Sequence, residues 1–303
     1  MAIGHISDID LRLLRVFACV VETGGFSAAC AEMNVTRSAV SLRMSELEQR
    51  LGMRLCRRGR SGFQLTDEGR IVHQAVVRLF ADLDEFRARI DALRNDLSGD
   101  LCLGITDNLV TSPHMRITRV LNALREIGPR IRFNVCMTTP DEVVRGVADG
   151  RFHLGAVPDH KASDAFEAFP LYEEEILLYC GADHPLASEA DEQRILDALG
   201  LHDAAALDQG PMPPETQATP FLNVCAKSKD REGIAFLILS GKYIGLLPNH
   251  YASRWVEKGQ MKVLAPSRIV HVQNYNIIVR RGGHEHKLTK AFLHNFGSAA
   301  HQA

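Results

Sequence analysis

"SAACAEMNVTRSAVSLRMSELEQRLG", residues Ser27 to Gly52, holds two helical patterns and the break between them. Ser27 suits a helix N-cap, and Ala28, Ala29 and Ala31 leave a bare face against which another helix can lie closely. Asn34 suits a left-handed turn position and Val35 plugs the corner. Thr36 then caps a further helix, along which Val40, Met44 and Leu47 recur at steps of four and three and point inward. Arg37, Ser38, Ser41, Leu42, Arg43 and Ser45 are left toward solvent. The spacing is that of a helix-turn-helix, whose second helix lays its N-terminal side chains in the major groove of DNA. Two core helices of an ordinary α-domain would share the apolar spacing. They would not require guanidiniums and short hydroxyls, the groups suited to phosphate and base-edge contact, on the outer face.

The flanks extend this reading. Upstream, Leu11, Leu14, Phe17, Ala18 and Val21 mark a helix that ends at Gly24-Gly25. Downstream, "LCRRGRSGFQLT" (Leu55 to Thr66) reads as strand, arginine-rich turn and returning strand, a hairpin wing that would lay Arg57, Arg58 and Arg60 along the phosphates. The whole chain has a net charge of −2, which alone argues against nucleic acid, but the average conceals a division. Residues 1–66 carry nine arginines and no lysine against six acids, whereas residues 98–303 carry 21 basic and 24 acidic groups. A basic head on a mildly acidic body suits a chain in which one domain touches phosphates.

After Thr66, with Asp67 and Glu68 in the first turn, apolar residues fall at Val72, Val76, Leu79, Leu83, Phe86, Ile90, Leu93 and Leu97. This strict alternation of four and three predicts a long coiled-coil helix with Leu79, Leu83, Phe86 and Ile90 in a dimer seam. An amphipathic helix packed on its own domain would need a wider stripe. Ser98-Gly99 ends the helix. Beyond it, "LCLGIT", "IRFNVCM", "HLGAV", "ILLYC", "FLNVCA" and "YIGLLP" read as buried strands, with helices between several of them, a mostly parallel α/β design. With 303 residues, 46% of them hydrophobic, the chain is long enough for about two cores. No apolar run reaches the roughly 18 residues of a membrane span and the N-terminus lacks a secretory pattern, so a cytoplasmic protein is expected. The seven cysteines are never closely spaced, which favours reduced thiols over disulfides or zinc. His284 and His286 read as a surface turn rather than a metal site, and no cofactor motif is present.

The stretch "DLRLLRVFACVVETGGFSAACAEMNVTRSAVSLRMSELEQRLGMRLCRRGRSGFQLTDEG" resembles the N-terminal domain of LysR-type transcriptional regulators. "FHLGAV", "LYEEEILLYCGADHPLA" and "SGKYIGLLPNHYA" are similar to landmarks of their effector domain, so the likeness runs through the chain. It implies an α/β protein of three parts: a winged helix-turn-helix over 1–66, a dimerising linker helix over 67–97, and a two-lobed domain like periplasmic binding proteins over 98–303. The implied function is a sequence-specific DNA-binding transcriptional regulator, not an enzyme, controlled by a small-molecule effector between the lobes. Its implied partners are a double-stranded DNA operator, the effector, further copies of itself as dimer and tetramer, and RNA polymerase, with no membrane and no cofactor.

Carried over by position, the DNA contacts of the resemblance fall on Thr36, Arg37, Ser38 and Ser41, beside Arg43 and the wing arginines. The family usually has Gln-Pro where Arg37 and Ser38 stand and often Arg where Leu42 stands, so the operator does not carry over. Arg37 suits guanine and Leu42 a thymine methyl. The effector positions fall on Thr106, Asp107, Asn108, Thr138, Thr139, Pro158 and Ser228, with His202 and Lys227 as candidate cations near Asp107. Relatives bind small carboxylates here, and a carboxylate at Asp107 should repel an anion unless a cation offsets it, which favours a neutral or cationic effector. Asp107 as a mere helix cap is the competing reading. A DNA-packaging protein with an oligomerising body, or an enzyme on the α/β body, remain alternatives; the latter lacks a nucleophile-base constellation.

Overall fold

In the computed structural model, which describes residues 7–59, 62–92, 97–159, 165–208, 221–281 and 286–298, the chain forms two compact units, one reaching to Arg87 and the other beginning at Ala88. The first unit opens with α1 (Asp8–Glu22), α2 (Phe26–Met33) and α3 (Arg37–Leu51). The start of α2 differs by two residues from the sequence expectation: its N-cap is Gly25 at φ 152°, a conformation an L side chain rarely adopts, rather than Ser27. Its end agrees, with Asn34 left-handed at φ 50°. Thr36 accepts the Ala39 amide at 3.3 Å and caps α3. Phe17, Val20, Ala29, Val40 and Met44 are fully buried in the head's core with Leu47 at 1% exposure. Each of these side chains except the small Ala29 contributes about 1.5–3 kcal/mol by leaving water, so the inner face of α3 is held firmly.

The wing follows as an antiparallel hairpin of β1 (Cys56–Gly59) and β2 (Gly62–Leu65), with Arg57 opposite Gln64. Arg60 and the side chain of Arg58 lie outside the described residues. In α4 (Asp67–Ala92) the apolar stripe divides. Val72, Val76 and Leu79, with Phe80, pack against the head's own core, whereas Leu83 is half-buried and Phe86 is 62% exposed. The side chain of Ile90 and all of Leu93 lie outside the described residues. The near half of the stripe, with Leu79 alone of the expected seam, is thus used within its own unit, because α4 leaves the wing directly across the core and buries that apolar area without a partner.

The second unit contains, among the described residues, a nine-stranded sheet: β3 (Ser98–Ile105), β4 (Arg130–Met137), β5 (Leu154–Pro158), β6 (Phe166–Gly181), β7 (Asp203–Leu207), β8 (Asn223–Ser228), β9 (Ile244–Pro248), β10 (Met261–Leu264) and β11 (Val270–Arg280). Their order is β4-β3-β5-β11-β6-β9-β7-β8, with β10 on β6. The sheet is mixed, a correction to the mostly parallel expectation: β3 pairs parallel with β4 and β5, and β7 with β8 and β9, but β6 and β11 run antiparallel to each other and to their outer neighbours. These two long strands divide the unit into lobes. The first lobe packs α5 (Ile117–Ile127) and α10 (Lys287–Ser298) on one face of its strands and α6 (Pro140–Ala148) on the other. The second packs α8 (Arg231–Leu239) and α9 (Asn249–Val256) on one face and α7 (Glu192–Ala198) on the other.

His286, expected in a surface turn, is buried. Its Nδ1 accepts the Thr289 amide at 3.4 Å at the start of α10, and its ring stacks on His153 with centroids 4.1 Å apart. Burial, reinforced by His153, holds its pKa down at about 3. A histidine of unfolded pKa about 6.5 that is depressed on folding stabilises fully only above that value, and the contribution falls as pH drops toward the folded pKa. The unit should therefore lose about 2 kcal/mol between pH 7 and pH 5 through this residue. Urea unfolding at the two pH values should show a smaller loss in His286→Asn, which keeps a capping acceptor; equal losses would remove His286 as the cause.

Candidate functional site

On the head, the local capping and core contacts of α3 decide which side chains face water. With Val40, Met44 and Leu47 inward, Thr36, Arg37, Ser38, Leu42 and Arg43 are exposed and Ser41 is half-buried. Leu42 is 71% exposed, an apolar side chain held out beside two arginines. Thr36 and Ser38 share a hydrogen bond of 3.0 Å. The wing is fixed to this helix by Glu48, whose Oε1 accepts the amides of Leu55 at 2.8 Å and Cys56 at 3.2 Å. Phe63 on the wing meets Phe26 of α2 edge-on, centroids 6.1 Å apart. Arg57 is exposed on β1. Arg50 is withdrawn from the basic count: its fork holds Asp10 of α1 at 2.6 and 3.0 Å, and that hydrogen bonding pulls the Asp10 carboxyl far below its ordinary range.

In the second unit the carboxyl ends of β3, β4 and β5 bring together six of the eight expected effector residues. Thr106, Asp107 and Asn108 follow β3, Thr138 and Thr139 follow β4, and Pro158 ends β5. Thr138 donates its amide to Ile105 at 3.0 Å, and Thr139 accepts the Glu142 amide at 3.4 Å to cap α6. Thr106 is 1% exposed and its Oγ1 has no partner among the described residues. Ser228 ends β8 in the other lobe, just before α8. His202 is elsewhere: it precedes β7, at the opposite end of that strand from Leu207, which is the residue in register with Ser228. Its ring lies 4.8 Å from His184, so it does not serve Asp107. Lys227 is paired with Asp208 at 3.6 Å.

The cation that meets Asp107 is Arg231, a residue the sequence reading passed over. Asp107 Oδ2 accepts the Arg231 amide at 2.6 Å and the Asn108 side chain at 2.8 Å, while Oδ1 accepts the guanidinium at 3.1 Å. The other end of that fork donates to Glu174 at 3.3 Å and to the Tyr275 hydroxyl at 3.1 Å. Glu174 also accepts Tyr172 at 3.0 Å and lies 3.1 Å from His250 Nε2, and His250 Nδ1 lies 2.8 Å from Thr111. Burial pushes the Tyr275 phenol up to about 12, and burial with Glu174 raises Tyr172 too, so both stay neutral. The premise that Asp107 stands as an uncompensated anion is therefore corrected, and simple repulsion of an anionic effector no longer follows from it. Two signals were present: Arg231 opens a helix, where the helix dipole disfavours a cation, and strand alternation turns the middle glutamate of "EEE" inward.

Residues 11–70 match the family "Bacterial regulatory helix-turn-helix protein, lysR family", and residues 94–300 match "LysR substrate binding domain". The chain is 46% identical to the HTH-type transcriptional activator BauR of Pseudomonas aeruginosa over 96% of both chains. Its fold is similar to that of CbnR, a LysR family transcriptional regulator, with a TM-score of 0.65 at 18% identity over 96% of this chain and 99% of that one. A structure of full-length CbnR complexed with its target DNA gives 0.63 at 19% identity over the same shares of the two chains.

Proposed function

We propose, from the premise that this chain belongs to the LysR family of bacterial transcriptional regulators, that its head reads a double-stranded DNA operator with Arg37 on a base edge and Arg57 and Arg58 on phosphates. The observation that carries the reading is the anchored α3, which turns Thr36, Arg37, Ser38, Leu42 and Arg43 to solvent from one rigid face. A guanidinium fork matches the two acceptors of guanine, and an exposed leucine suits a thymine methyl. The second unit then responds to a small-molecule effector near Thr106. A buried hydroxyl without a partner costs about 1–3 kcal/mol, which a bound ligand would relieve. Copies of the chain associate, a reading supported by exposed apolar side chains on α4 (Phe86) and on both sheet edges (Val135 and Met137 on β4, Val224 on β8). Action in the cytoplasm and contact with RNA polymerase complete the proposal.

Arg37→Ala should cost about 1–3 kcal/mol on the preferred operator and relax preference at one base position. Arg57→Ala should weaken all sequences alike and flatten the salt dependence. A binding-site selection in which Arg37→Ala keeps the parent's preference would sink the assignment.

A further inference from the structure

The short loop after β3 reaches across from the first lobe and touches the second at two points. Asp107 seats on the first amide of α8 and on the Arg231 guanidinium, and Thr111 meets His250 on α9. At the head of α8 the cap residue Asp230 accepts the Gly233 amide at 2.8 Å, which leaves the Arg231 amide free for a partner, and Asp107 takes it at 2.6 Å. Asn108, left-handed at φ 65°, donates its side chain back to the same carboxylate. Both oxygens of Asp107 are thereby engaged by donors that a free carboxylate would also choose: a helix-terminal amide and a guanidinium.

We propose that Asp107 is a tethered anion, occupying from within the chain a carboxylate seat on the second lobe and so holding the two lobes together without an effector. The inference concerns the same cleft as the effector reading and rests on that reading only for its regulatory meaning. Arg231 makes the contact a clasp rather than a local cap. Its fork is held from behind by Glu174 on β6 and Tyr275 on β11, the two strands that join the lobes, so the seat is rigid before Asp107 arrives. A tethered group competes at a high effective concentration, so a dilute monocarboxylate does not displace it. An effector must bring contacts beyond a single carboxylate to displace it.

The test needs no effector and uses the full chain. Exchange of the Arg231 amide should be slow in the parent and at least about tenfold faster in Asp107→Ala, with the Gly233 amide, held by Asp230, and the cores of both lobes unchanged. About 100 mM sodium acetate should restore slow exchange in Asp107→Ala, refilling the vacated seat, and leave the parent unaffected, while sodium chloride at equal ionic strength should do neither. Parent-like exchange in Asp107→Ala, or acceleration that acetate and chloride reverse equally or not at all, would overturn the proposal. Should Asp107→Ala fail to fold, Asp107→Ser, whose shorter uncharged side chain reaches neither the amide nor the guanidinium, is read in the same way. A protein whose operator binding responds to no metabolite would defeat the effector reading and leave these exchange results as they stand.

Discussion

Replacing Arg231 by alanine should lower the stability of the second unit by about 3–5 kcal/mol, the range for removing one member of a buried ion network. The Arg231 side chain is 10% exposed and that of Glu174 only 2%. Without the guanidinium, Glu174 keeps the Tyr172 hydroxyl and His250 but loses its nearest full charge, in a position where water cannot replace it. Asp107 loses its guanidinium bond at the same time. Arg231→Lys should fall between, because an ammonium preserves the charge and not the fork that reaches Asp107, Glu174 and Tyr275 together. Adding Glu174→Gln to Arg231→Ala should recover part of the loss, since the stranded charge is then gone. Trp255, the single tryptophan, stands on α9 with Tyr251 edge-on at 5.0 Å and reports unfolding of this lobe by fluorescence. A loss below about 1 kcal/mol in Arg231→Ala would show that the carboxylates are solvated and that the network is dispensable.

In the head, Gly69→Ala should destabilise by about 3 kcal/mol, the upper end for overpacking, because the obstacle is backbone. A methyl group at Gly69 would stand 1.9 Å from the Leu55 carbonyl oxygen and 2.9 Å from its carbon. That carbonyl cannot swing aside: it accepts the Thr66 amide at 3.0 Å, and the Thr66 hydroxyl donates to Arg54 at 2.7 Å. Relief requires α4 to lift off the wing, which would also move the exposed Arg57 relative to α3. Helix propensity alone gives the opposite sign, since alanine is favoured over glycine by up to about 1 kcal/mol inside a helix. Thermal unfolding followed by circular dichroism, with operator binding as a second readout, separates the two. A higher melting temperature in Gly69→Ala would show that the close approach of α4 to Leu55 is looser than drawn.

What the sequence by itself determined is whatever short stretches encode. The turn at Asn34, the cap at Thr36 and the inward face of α3 depend on neighbours within a few residues, and they were legible with the family likeness and the exposed face that the proposed DNA contact uses, whereas α1 buries Leu13, Val16 and Val20 beside the expected Leu14, Phe17 and Ala18. Legible too was the existence of six of the strands, though two of them, β4 and β8, lie at the sheet edges and are largely exposed rather than buried as expected, because their position in the sheet is not encoded in the run itself. β7 was missed because "DAAAL" has too little strand character and β10 because its four residues are too short a run, whereas β11 did carry a strand signal in the alternation around Val270 and Val272 and the run Ile277 to Val279. The stripe on α4 states that its residues will be buried but not against what, and the structure gives its near half to the head itself.

The cleft was decided only in three dimensions. Placing Thr106, Thr138 and Pro158 at one edge needs just the rule that parallel strands end together, and that much carried over. Which cation answers Asp107 is a pairing across 124 positions of chain, and Thr111 meets His250 across 139. His202 and Lys227 were equally plausible on charge alone, but strand direction puts one at the far end of β7 and an exposed aspartate takes the other. Charge in a sequence states how many counter-ions a chain needs. Only the folding of β6 and β11 between the lobes brings Glu174, Tyr275 and Arg231 within hydrogen-bond reach, and at that range, out of water, distance rather than sequence selects the partner.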